Sequence, residues 1–210
     1  MKKFSCFLAV IFLAAGLTSC TSEIVLKQEK SGSINVKFSS VAGNAFIKMV
    51  KSAAADDDGN VLIDVNAITH ELEKSGFVNV DIEKKNVIDF DVSMDDFFGN
   101  SILISSGLLS STADEFSANI TAEKFADFYN KADDDLVNIL DMFLAPVFND
   151  EEMWESEYVE LLASFYGDDV ANEIKESSLK ITLEDVNGKK KSKTVSLAKL
   201  FTLQEPVIIN

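Results

Sequence analysis

The chain predicts an α+β domain in which an antiparallel sheet is covered on one face by a helical block. Three patterns lead there. Apolar and polar residues alternate with a period of two near both ends of the chain, as in half-buried strands. Between Thr121 and Ser177 the apolar spacing turns helical, and no repeat of fixed period is visible, which disfavours solenoids and propellers.

Taken in order, Ile34, Val36 and Phe38 alternate with Asn35, Lys37 and Ser39, the mark of a first strand. Val41 to Ala55 reads as a helix stopped by Asp56-Asp57-Asp58-Gly59-Asn60, and a second helix should run from Asn66, a good N-cap, to Gly76. Val78, Val80 and Ile82, then Ile88, Phe90, Val92 and Met94, predict a hairpin with one wet face across Lys84-Lys85-Asn86. Residues 95 to 120 carry apolar pairs broken by Gly and Ser, and at least one strand is expected there. From Thr121 a helix with Phe125, Phe128 and Tyr129 continues through Leu136 to Val147, where Pro146 ends or kinks it. The next carries Trp154, Tyr158, Leu161, Leu162 and Phe165 and is broken by Gly167; a short one with Val170, Ala171 and Ile174 follows. Leu179, Ile181 and Leu183 alternate, Asn187-Gly188 offers a type I′ turn, and a lysine-rich strand returns through Thr194 to Leu197.

Both cysteines fall within the first 20 of 210 residues. Met1-Lys2-Lys3 and the apolar run from Phe4 to Leu17 have the form of a secretory signal, too short for the ~20 residues of a membrane-spanning helix. Leu17-Thr18-Ser19-Cys20 then resembles the lipobox of bacterial lipoproteins, a resemblance confined to these first 20 residues. It implies cleavage before Cys20 and attachment of acyl chains such as palmitate to it, outside the cytoplasm in the cell envelope. It implies nothing about activity. The expected division is a signal peptide over 1–19, the lipidated Cys20 and a tether over 20–33, and a single domain over 34–210. Thr21 is not the aspartate that retains many lipoproteins at an inner membrane, so in a host with two membranes, and hence a periplasm, the outer membrane is favoured.

Removing Lys2 and Lys3 from the 19 basic residues leaves 17 against 35 acids, a formal charge of about −18 for the mature chain. With no arginine to grip phosphates in a planar fork, nucleic acid is not an expected partner, and the acidic surface keeps the domain in solvent above its anchor. No thiol remains for a disulfide or a metal site, so stability must come from core burial.

Several constellations bear on chemistry. Setting Gly59 at the sixth position of a calcium loop puts Ala54 and Val65 where ligating carboxylates belong, so the acidic run reads as a solvated turn. Asp134 or Asp135 reads as a helix cap. His70, the only histidine, falls on the exposed side of its helix, and Gly99-Asn100-Ser101-Ile102-Leu103 lacks the closing glycine of a nucleophile elbow. No catalytic residue, metal or cofactor is expected. The stripe of aromatics is either core against the sheet or, for Trp154, Tyr158 and Tyr166, the rim of an apolar groove for a lipid, peptide or partner helix. The shared face with Tyr158, Leu161, Leu162 and Phe165 favours a mostly buried Trp154.

The reading these observations favour is a non-enzymatic envelope lipoprotein, held to the membrane by Cys20, that binds or supports another envelope component, protein or lipid. The alternatives are a carboxylate-based hydrolase of envelope glycans and a membrane-tethered carrier of a lipid or small solute. Cys20→Ser should abolish metabolic labelling with palmitate and leave the chain unprocessed or released. A Cys20→Ser chain that still fractionates with membranes at the processed mass would overturn the lipoprotein reading.

Overall fold

A computed structural model describes residues 21–45, 47–48, 65–74, 76–85, 89–96, 102–112, 115–131 and 153–210. The signal segment, Cys20, most of the helix expected over Val41–Ala55, the acidic runs at Asp56 and Asp133, and the stretch from Leu136 to Val147 lie outside them.

The fold is α+β and forms one domain. Its larger sheet has six strands: β1 (Thr21–Gln28), β2 (Ile34–Ser39), β3 (Phe77–Lys84), β4 (Phe90–Asp96), β7 (Ser178–Glu184) and β8 (Lys190–Ser196). Their order is β3-β4-β2-β1-β7-β8, and every pair is antiparallel except β1 with β7, which is parallel. A second sheet of three strands, β5 (Leu109–Ser111), β6 (Phe116–Ile120) and β9 (Val207–Ile209), has the order β5-β6-β9. Residues 44–45 and 47–48 are helical, within the helix expected over Val41–Ala55, and the further helices are α1 (Val65–Lys74), α2 (Ile102–Ser105), α3 (Ala122–Lys131), α4 (Glu155–Tyr166), α5 (Asp168–Glu176) and α6 (Leu197–Thr202).

The register sorts the six strands into two faces. Ile24 and Leu26 lie beside Phe38 and Val36 of β2 and beside Ile181 and Leu183 of β7, while Val92 and Met94 extend the same row beyond β2. All are buried, and with Ile68 and Leu72 of α1, Tyr158 and Leu162 of α4, Val170 and Ile174 of α5 and Leu197 of α6 they form one continuous core. The opposite face carries Glu23, Lys27, Lys37, Asp91 and Lys180, which share side-chain positions set by the same register. Polar pairing organises it: Asp95 accepts from the amides of Asn35 (2.8 Å) and Asn79 (2.9 Å) across three strands. Asn79 has a left-handed backbone (φ 54°) where the β3 register shifts between Val78 and Asp81.

Local chemistry sets most boundaries. Helix α1 begins at Val65, so Asn66 stands inside the first turn rather than capping it, and Gly76 (φ 95°) follows the helix end as expected. The expected hairpin is β3-β4, and the stretch 95–120 supplies β5, β6 and the short α2. The β7-β8 connection is not a type I′ turn, because Asn187 lacks the positive φ such a turn needs. Instead the Asp185 carboxylate accepts from the backbone of Asn187 and Lys189, and Gly188 alone is left-handed (φ 79°). The return strand ends at Ser196, whose hydroxyl accepts from Lys199 N–H and starts α6 one residue earlier than the alternation implied.

The main correction concerns the tether. Thr21 to Gln28, read as part of it, are β1, an interior strand hydrogen-bonded on both edges. Deleting everything before Glu29 would harm nothing if these residues were a tether. It should instead abolish cooperative urea unfolding and expose the core, because Ile24 and Leu26 alone bury side chains whose truncation typically costs ~2–5 kcal/mol each. A cleanly folded chain from Glu29 onward, judged by near-UV circular dichroism, would refute this placement of β1.

Candidate functional site

Helix α4 carries the features most open to function. It starts after Trp154, which is extended (φ −74°, ψ 155°) and whose backbone N–H donates to the Glu157 carboxylate at 2.8 Å. That carboxylate three residues on is the reach-back half of a capping box; the indole, a donor only, cannot complete the other half. Trp154 therefore stands outside the helical period that seemed to bury it. It is 68% exposed, contrary to the expected core placement.

Phe165 is 72% exposed. Within the helix it lies one turn, about 40°, beyond the half-buried Leu161. The helix thus shows an apolar margin to solvent while Tyr158 and Leu162 enter the core. The three residues proposed to rim a groove are not brought together. Tyr158 is fully buried, its ring tilted against Phe201 at 5.9 Å; Tyr166 is half-buried beside Phe165; Trp154 stands apart at the helix start.

Among the described residues the Tyr158 hydroxyl has no hydrogen-bond partner. Burial, and secondarily the Tyr166 hydroxyl, push its ionisation well above the ordinary phenol value, so the native core holds it neutral.

Between the inner face of the large sheet and the small sheet lies an apolar cavity of about 120 Å³. Ile24, Leu26, Ile181, Ile120, Phe125 and Phe201 are among its walls, and every described residue lining it is apolar. Its size suits a single ring-sized group, well short of the ~300–1,000 Å³ that sites for drug-sized ligands occupy.

On the open sheet face Glu23, Asp81, Glu83 and Asp91 border a shallow depression. Lys180 pairs with Glu23 (2.8 Å) and Lys85 with Asp91 (2.6 Å). Partial burial pushes the Asp91 carboxyl up, but hydrogen bonds from Lys85 and Ser39 and the Lys85 charge outweigh it and hold it below its ordinary value. An ionised Asp91 is the wrong state for the proton donor of a glycoside hydrolase. Among the described residues no group of three or more His, Cys, Asp or Glu is placed to hold a metal ion, His70 is exposed, and no helix is long and apolar enough to cross a membrane.

Compared with models of protein families, with curated proteins and with solved structures, the chain matches none.

Trp154 and Tyr158 should part sharply on truncation. Trp154→Ala leaves no cavity and should cost under about 1 kcal/mol, whereas Tyr158→Ala should cost roughly 3–5 kcal/mol in urea unfolding. Tyr158→Phe removes a hydroxyl that gains nothing in the core and should match or exceed wild type. The phenol's raised ionisation makes its contribution complete below pH 10.0, the ordinary value, and lost as pH climbs from there toward the native-state value. Tyr158→Phe should accordingly unfold at higher pH than wild type in an alkaline titration; an unchanged midpoint would remove Tyr158 from the alkaline transition.

Proposed function

We propose that the protein is a lipid-anchored, non-enzymatic component of a bacterial cell envelope that binds another envelope protein through the outward margin of α4. The observation that carries this is the exposure of Phe165 at 72% on a helix whose inner face is fully engaged in the core. An isolated exposed aromatic needs no explanation, but Phe165 stands against the half-buried Tyr166 at 6.3 Å and one turn beyond the half-buried Leu161, and contiguous apolar surface in water marks association sites. The acidic composition favours a partner that is neutral or cationic around its own apolar contact.

Photocrosslinking in living cells of the native host tests this. A benzophenone side chain at position 165 should trap one discrete envelope protein, whereas the same group at Ser192, exposed on β8, should not. Loss of that adduct on adding Leu161→Asp, with unchanged protein level, would tie it to this surface. Identical adduct patterns from positions 165 and 192 would refute the assignment.

A further inference from the structure

The end of the sheet where the chain enters is fixed by the ladder. Thr21, the first residue of β1, is opposite Ser178, the first of β7, and Ser178 is opposite Ser196, the last of β8. These three lie in one row at the end of the sheet, about 10 Å across at ~4.8 Å per strand. Ser196 Oγ donates to the Glu155 carboxylate at 2.8 Å, and Glu155 follows Trp154 directly. Trp154, 68% exposed, is therefore one residue from a side chain that reaches the row beginning with Thr21. On the other side of β1, Ser39 of β2 is opposite Glu23, and Val41, two residues beyond Ser39, is 38% exposed. Two exposed apolar side chains, Val41 and Trp154, thus flank the point at which β1 begins.

Cys20 is one peptide unit from Thr21, ~3.8 Å between Cα atoms. An anchor there leaves no length of chain to lift this end of the sheet from the bilayer. We infer that the sheet end bearing Thr21 rests on the membrane and that Trp154 inserts its indole into the interfacial layer beside the lipid anchor. This rests on the lipoprotein reading. The chemistry is that of interfacial tryptophan, an amphipathic ring with an apolar body and an N–H donor that settles at headgroup level. Of the acids at this end, Glu23 is paired with Lys180, Asp91 with Lys85, and Glu155 and Glu157 are hydrogen-bonded to Ser196 and to the Trp154 backbone, while Glu83 and Glu176 are exposed, which suits a zwitterionic surface better than an anionic one. Phe165, eleven residues along α4 and ~16 Å away at 1.5 Å per residue, lies at the other end of the helix.

Trp154 is the only tryptophan, so its own emission reports the contact. The lipidated chain, purified from membranes and reconstituted into phosphatidylcholine vesicles, should emit to the blue of the unlipidated Cys20→Ser chain in buffer. Lipids brominated near the headgroup end of their acyl chains should quench it more strongly than lipids brominated deep in the bilayer, and acrylamide should quench it less than in buffer. If the chain floats with the vesicles while Trp154 stays fully open to acrylamide and blind to brominated lipid, the inference is overturned and the lipid anchor stands. If the purified chain carries no acyl mass and does not float, the lipoprotein reading fails and the inference falls with it.

Discussion

The parallel ladder between β1 and β7, seven residue pairs from Thr21 opposite Ser178 to Lys27 opposite Glu184, joins two halves of the sheet that are otherwise not hydrogen-bonded to each other. On one side stand β3, β4 and β2; on the other the β7-β8 hairpin. A parallel pair cannot be closed by a tight turn, and here the connection is most of the chain, including helices α1 to α5. Forming it demands that residues some 150 positions apart meet, an ordering cost that only a large buried interface offsets. The interface is the inner face of β1, where Ile24 and Leu26 touch both halves of the core.

No disulfide is available to help, since neither cysteine lies beyond residue 20. The smaller sheet and the helices close the core instead. Gln28 at the end of β1 donates to Ser111 Oγ (3.0 Å) and to the Thr112 carbonyl (2.8 Å), tying the large sheet to the small one. Glu173 of α5 reaches across to accept from the Ala45 backbone at 2.7 Å, and its carboxylate packs on the bare Cα of Gly43, where an added side chain would displace it. These contacts are polar and part-buried, so they orient elements that the hydrophobic core, being non-directional, would leave free to slide.

The same architecture separates two kinds of surface. The outer sheet face is wet, cross-paired and charged, a poor surface for apolar contact. The margin of α4 is the reverse, because the helix must turn Tyr158 and Leu162 inward and its neighbouring positions fall where no other described element covers them. A membrane contact at the Trp154 end and a protein contact toward Phe165 are compatible readings of one helix, separated by its length.

Much of this was legible from residue order alone. The alternation at β2, β4 and β7, the helical spacing of α1, α4 and α5, and the breaks at Gly76 and Gly167 depend on near neighbours, and local patterns decide them. β1 was not legible because its alternation is spoiled at three places: Ser22 and Gln28 face inward and Val25 outward, and only its two neighbours in the sheet reveal the parity. Trp154 departs from its expected place for a related reason. Its spacing to Tyr158 and Leu161 fits the helix, but the Glu157 cap that starts the helix one residue later was the stronger signal. The sequence by itself determined which segments could hide an apolar face. Only the tertiary structure decided which partner each face met, since burial is a property of two surfaces brought together from distant parts of the chain, and no local period encodes the second.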